Sequence, residues 1–145
     1  MKFVIQRVES ASVEIDKETI AEIKNGYLVL IGITHNDTKD TADYLINKLI
    51  NLRVFEDENG KLNLSLDAIK GELLLVSQFT LYGDCSRGNR PSFIQAADPE
   101  YANKLYEYIV NECKQKVQTV KSGVFGANMK INLINDGPVT IIMEK

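Results

Sequence analysis

Apolar positions recur along this chain with a period that changes between two and about three and a half, and the changes divide it into elements. Phe3, Ile5 and Arg7 share one face of an extended first segment, with Val4, Gln6 and Val8 on the other. Asn25-Gly26 stands between the runs 19–23 and 27–33, a turn dipeptide between apolar segments that predicts a hairpin. The second run, Tyr27-Leu28-Val29-Leu30-Ile31-Gly32-Ile33, is apolar on both faces, as a central buried strand is. Asp37 or Thr38 can cap a helix reaching to about Leu52, with Ala42, Leu45, Leu49 and Leu52 as its apolar stripe and Ile46 broadening it.

Asp57-Glu58-Asn59-Gly60 reads as a turn between two short strands, and residues 72–82 form a long run centred on Leu73-Leu74-Leu75-Val76. A loop rich in Gly, Arg, Ser and Asn follows over 83–97. Asp98-Pro99 then opens a second helix, whose expected buried stripe is Tyr101, Leu105, Ile109 and Cys113. Met129, Ile131 and Leu133 alternate with Asn128, Lys130 and Asn132, and Asn135-Asp136-Gly137-Pro138 turns the chain into a last strand over 139–143. Strand runs twice followed by a helix predict an α+β fold, in a single domain over 1–145.

Composition narrows this picture in three ways. No apolar run approaches the ~20 residues that cross a bilayer, and the start reads as a strand and not as a signal peptide. Cys85 and Cys113 lie far apart without a second pair, so neither a disulfide framework nor a metal cage is expected, and the simple setting is intracellular and reduced. The formal charge of −3 argues against wide coverage of nucleic acid, whose binding rests on phosphate neutralisation, but leaves room for contact with a short end.

The polar set Ser77-Gln78-Phe79-Thr80 interrupts a core strand, and buried hydroxyl or amide groups cost ~1–3 kcal/mol each if unpaired. They either cap a strand end or face a cleft. Both hydroxyls reach one site only if the strand bends or ends there. A nucleophilic Ser77 or Thr80 needs an activating base, most often histidine. His35 is the only histidine, in a loop beside Asn36 and Asp37 where a solvated turn residue is the common case. A hydrolase built on this chain would therefore take its activating group from the substrate. Asp136-Gly137-Pro138 is, taken alone, a common turn. Arg7, sharing a face with Phe3 and Ile5, needs a partner if buried, in a structural ion pair or in orienting a site loop. Arg87 and Arg90 are either solvated charge or phosphate contacts.

Ser77-Gln78-Phe79-Thr80-Leu81 and Asn135-Asp136-Gly137-Pro138-Val139-Thr140 together resemble the two signature motifs of the D-aminoacyl-tRNA deacylases. Gln6-Arg7-Val8, Asn51-Leu52-Arg53-Val54-Phe55, Arg90-Pro91-Ser92-Phe93 and Phe125-Gly126-Ala127 fall in the matching order, so the likeness spans essentially the whole chain. Asn89 and Asn128 depart from it, standing where many relatives are expected to carry a basic and an acidic residue.

The resemblance implies a deacylase-type fold, mainly antiparallel sheet or partial barrel with two principal helices, and a cytoplasmic homodimer with sites at the subunit interface. It implies hydrolysis of D-aminoacyl-tRNA at the 3′ end, and of glycine mischarged on tRNA-Ala, with no cofactor and no metal. Carried over residue by residue, Ser77, Gln78, Phe79 and Thr80 form the wall that positions the ester. Gly137 and Pro138, joined by a cis peptide, reach into the partner's pocket and exclude L side chains. Arg7 braces their loop, and Phe125 and Met129 lie near the terminal adenosine. The tRNA's terminal 2′-hydroxyl is the expected assistant in place of a protein base. Two other readings are a non-catalytic RNA-end module and an editing domain like that fused to archaeal threonyl-tRNA synthetases.

Overall fold

The computed structural model describes residues 1–145. A six-stranded sheet holds β1 (Lys2–Ile15), β2 (Glu18–Ile23), β3 (Gly26–Gly32), β6 (Glu72–Ser77), β7 (Val120–Ser122) and β8 (Lys130–Glu144). A small two-stranded sheet holds β4 (Phe55–Glu56) and β5 (Leu62–Leu64). The helices are α1 (Lys39–Ile50) and α2 (Pro99–Lys116). The order is β2-β1-β3-β6-β7, with β8 along the other edge of β1. β1 pairs antiparallel with β2, β3 and β8, whereas β3, β6 and β7 run parallel. The curled sheet makes a nearly closed barrel.

Alternation along β3 and β6 divides the interior in two. Tyr27, Val29, Ile31, Leu73 and Leu75 face α1 and α2 in the larger core, where Leu45, Leu49 and Ile109 pack. Leu28, Leu74 and Val76 face the inside of the curl with Val8, Val13 and Ile23. Strands buried on both faces are why these runs are uninterrupted in sequence. Thr38 caps α1 by accepting from the Thr41 amide, and Asp98 caps α2 by accepting from the Glu100 amide. Neither helix is long and apolar enough to cross a membrane.

Four expectations are corrected. Asn25-Gly26 is not a hairpin turn, because β2 and β3 both pair with β1 and not with each other. The hairpin lies at Asp16-Lys17, both at positive φ (50° and 70°), a conformation that two such polar residues accept without glycine. Gly26 serves close packing instead. A Cβ there would lie 1.9 Å from the Glu72 carbonyl oxygen, so only glycine lets β6 approach. The run 72–82 is not one strand, since β6 ends at Ser77 and a 3-10 helix takes over at Phe79–Tyr82.

The segment around Gly137-Pro138 is not a reverse turn between two strands. It is a bulge in the one long strand β8: Gln6 pairs with Thr140, while Val8 pairs with Asn135. Lastly, Tyr101 is not in the buried stripe of α2. It is 43% exposed, and its hydroxyl donates to the Asp37 carbonyl. Ala102, Leu105, Ile109 and Cys113 carry the packing instead.

Replacing Gly26 by alanine is expected to lower stability by at least about 3 kcal/mol, because the clash is with backbone and no side chain can yield. Urea unfolding of Gly26→Ala checks this, with loss under ~1 kcal/mol as the contrary result.

Candidate functional site

The site begins where β6 stops. The Gln78 amide donates to the Ile31 carbonyl at 2.7 Å, and Gln78 adopts φ −147°, ψ 83°, which swings the chain off the strand line into the 3-10 helix. Strict alternation would send neighbouring side chains to opposite faces. The break instead lets Ser77, Gln78 and Phe79 line one cavity of about 810 Å³. Its floor is apolar, from Ile31, Val76 and Ile131, and Phe125 and Met129 close the opposite side. Gly123 makes room for that side: a Cβ there would lie 2.6 Å from the Met129 sulfur. Thr80 does not line the cavity, and its hydroxyl accepts from the Gln78 side-chain amide.

A third wall was hidden in the sequence. Phe93, Ile94 and Ala96 line the cavity, held there by the loop before α1. Thr34 Oγ1 donates to the Gln95 carbonyl, and the Ala97 amide donates to the Ile33 carbonyl at 2.9 Å. His35 Nε2 meets the Ile94 carbonyl at 2.8 Å, so that nitrogen is the protonated one and donates. His35 is thus not a free turn residue: it lines the cavity. The loop carrying it is set by Asp37, whose carboxylate receives the Thr34 amide at 2.8 Å and the Met1 ammonium at 2.6 Å. Phe93 meets Phe79 edge to face, with centroids 5.1 Å apart.

The ionisable side chains in the lining are His35 and Asp98, each held by backbone: His35 by Ile94, and Asp98 by the Glu100 amide. No histidine or carboxylate hydrogen-bonds the hydroxyl of Ser77 or Thr80. The buried thiol of Cys113 is pushed up to about 12 by desolvation, which makes it inert as a nucleophile at neutral pH.

Arg7 and the β8 bulge form a second constellation. Arg7 is 4% exposed. Its Nη1 donates to the Val54 carbonyl at 2.7 Å, and its Nε donates to the Asp136 carbonyl at 3.2 Å. Nε lies 3.0 Å from the Asp136 carboxylate, and Nη2 lies 3.8 Å from Glu56. The Asn135 side chain adds a clamp by receiving the Val139 amide at 3.0 Å. The Gly137–Pro138 peptide so framed is cis. Gly137 has φ 117°, and a Cβ there would lie 3.0 Å from Arg7 Nη2. Neither Gly137 nor Pro138 lines the cavity of its own chain.

Over residues 4–144 the chain matches the family model described as D-Tyr-tRNA(Tyr) deacylase. It is 55% identical over 144 residues to the D-aminoacyl-tRNA deacylase of Thermosipho africanus strain TCF52B, covering 99% of this chain and 97% of that one. The D-aminoacyl-tRNA deacylase of Clostridioides difficile strain 630 is 56% identical with the same coverage. Among solved structures, one named c-Myc DNA Unwinding Element Binding Protein superposes with a TM-score of 0.94 at 41% identity, over 100% of this chain and 99% of that one. A structure described as a probable eukaryotic D-amino acid tRNA deacylase matches in fold, with a TM-score of 0.83 at 16% identity over 98% and 97% of the two chains.

Two measurements test these constellations. Arg7→Met keeps the aliphatic stem but strands two backbone carbonyls, and is expected to cost ~1–3 kcal/mol in urea unfolding. Asp136→Asn, at a half-exposed ion pair, is expected to cost under ~1 kcal/mol; the reverse ranking would make the ion pair the anchor. In a thiol titration at pH 8, the native protein is expected to react at Cys85 alone and to yield both thiols only in denaturant. Fast reaction of Cys113 would show that the α2 core opens.

Proposed function

The chain belongs to the D-Tyr-tRNA(Tyr) deacylase family, and on that premise we propose that the cavity bounded by residues 77–79 is where it cleaves the ester of D-aminoacyl-tRNA. It is a hydrolase of D-aminoacyl-tRNA. The observation that carries the placement is the ending of β6, which turns consecutive polar and aromatic residues into one concave wall.

In this reading the terminal adenosine lies against Phe125 and Met129, and the ester carbonyl rests along residues 77–79. The amides of Phe79 and Thr80 are the donors for the developing oxyanion, acting as pre-oriented dipoles on an apolar floor. Gly137 and Pro138 belong to the neighbouring copy's site. Their carbonyls receive the substrate's α-amino group, leaving space for a D side chain or for glycine, as on mischarged tRNA-Ala, and none for an L side chain. Arg7 holds that loop from behind.

A homodimer is supported by the free edge of β8. This strand of 15 residues is paired only with β1, and it exposes Ile134 (55%) and Ile142 (68%) beside the Gly137–Pro138 bulge. A long apolar edge strand is a template for pairing unless something covers it, and a second copy of this chain does so here. Such a dimer brings the bulge of one protomer to the other's cavity. The proposed setting is the cytoplasm, where aminoacyl-tRNA is made and used.

The hydroxyl wall acts by position. A nucleophilic Thr80 would need a base, and the partner of its hydroxyl is an amide. The attacking water or leaving oxygen is instead assisted by the tRNA's terminal 2′-hydroxyl. Nucleic-acid binding without catalysis is a second reading, brought by the name of the 41%-identical structure. The net charge of −3 weighs against it for any extended duplex.

Incubation with D-Tyr-tRNA and L-Tyr-tRNA separates these readings: release from the D ester alone is expected. No release would favour the binding module, and release from the L ester would overturn the filter. Thr80→Ala is expected to keep activity within about tenfold, whereas loss of a nucleophile costs on the order of 10⁴ or more. A D-aminoacyl-tRNA ending in 2′-deoxyadenosine is expected to resist hydrolysis; cleavage at the normal rate would remove the 2′-hydroxyl from the mechanism.

A further inference from the structure

A second concavity, of about 410 Å³, runs along α2 outside the cavity at residues 77–79. One side is a stripe of Asn103, Glu107, Asn111 and Lys114, whose spacing of four, four and three puts them on one helical face. The other is the segment from Ser122 to Phe125. Phe125 is the one residue that lines both concavities. The two concavities therefore adjoin at Phe125.

The groove's chemistry differs from the cavity's. Its polar lining offers side-chain amides, the Ser122 hydroxyl and an ammonium, while the Tyr106 hydroxyl is given to the Leu75 carbonyl, and the half-exposed apolar Val124 also lines it. Glu107 is the one carboxylate, and its Oε1 is already engaged by the Asn103 side chain at 3.2 Å. Lys114 has no carboxylate within ion-pair distance. Its neighbours along the helix do: Lys104 meets Glu100 at 2.6 Å, and Lys116 meets Glu112 at 3.9 Å. An unpaired ammonium flanked by amides is suited to a phosphate diester.

We propose that this groove binds the nucleotide preceding the terminal adenosine, with Lys114 and Asn111 on the connecting phosphate and Val124 against the sugar or base. The proposal rests on seating the adenosine at Phe125. It explains how an acidic protein grips its substrate: through one local cation on a single-stranded end. The competing role for Lys114 is to complement the dipole at the last turn of α2, which moves stability and not ligand affinity.

The test uses two hydrolysis-resistant probes, D-tyrosyl-3′-amino-3′-deoxyadenosine and the same compound extended by a 5′-linked cytidylate, as inhibitors of D-Tyr-tRNA deacylation. For the unmodified protein the extra nucleotide is expected to lower the inhibition constant about tenfold. In the Asn111→Ala, Lys114→Gln double variant that gain disappears, and the shorter probe binds as before. A wild-type gain absent altogether, or one that survives in the variant, overturns the groove assignment alone. Failure of both probes to inhibit an active enzyme instead overturns the seat of the adenosine, and the groove with it.

Discussion

A buried guanidinium holds together three parts of this molecule that are far apart in sequence. Arg7 enters from the first strand, reaches the Val54 carbonyl in the link between α1 and β4, and takes hold of Asp136 at the start of the β8 bulge. Removing such a charge from water is costly, and the cost is offset only if most of its donors are satisfied. Here two are given to backbone carbonyls. Backbone acceptors fix the chain in a way that an ion pair between flexible side chains does not. The residues that follow, Gly137 and Pro138, are thereby presented at a defined place on an otherwise regular edge strand.

The cavity is made by termination. β6 is central, parallel to both neighbours and buried on both faces until Ser77. Its end at a sheet boundary is where the strand's own hydrogen bonding runs out and the 3-10 helix begins. The cavity thus inherits a rigid floor from two apolar strands and a polar wall from the chain leaving them. The third wall, carrying Phe93 and Ile94, is stitched to the loop of Thr34 and His35 through main-chain carbonyls. Rigid strands beneath and pinned loops on top are what pre-orientation of backbone donors requires.

Much of this was legible in the residues. The two-sided apolar runs marked β3 and β6, the Asp37-Thr38 pair and Asp98 marked the two helix starts, and Arg7 on an apolar face announced a buried charge in need of partners. The Asn25-Gly26 signal misled because strand order is a long-range property: the dipeptide is equally suited to a close approach of β6, which no local pattern reveals. Tyr101 fits the apolar period of α2, yet its hydroxyl finds the Asp37 carbonyl across 64 residues and keeps the ring at the surface. His35 could not be placed from its neighbours, since its partner is a backbone carbonyl of the 83–97 loop. The bulge at Gly137-Pro138 looked like a turn because a turn and a bulge use the same residues.

A site shared between two copies of the chain, the wall from one and the bulge from the other, is tested most directly by complementation. Two variants are each expected to be inactive on D-Tyr-tRNA: Ala127→Trp, which fills the cavity, and Gly137→Leu with Pro138→Ala, which disables the bulge. Mixed dimers carry one intact wall facing one intact bulge, so random assortment is expected to restore about a quarter of the wild-type rate. Activity no greater than the sum of the two parents would show that each site is built within a single chain.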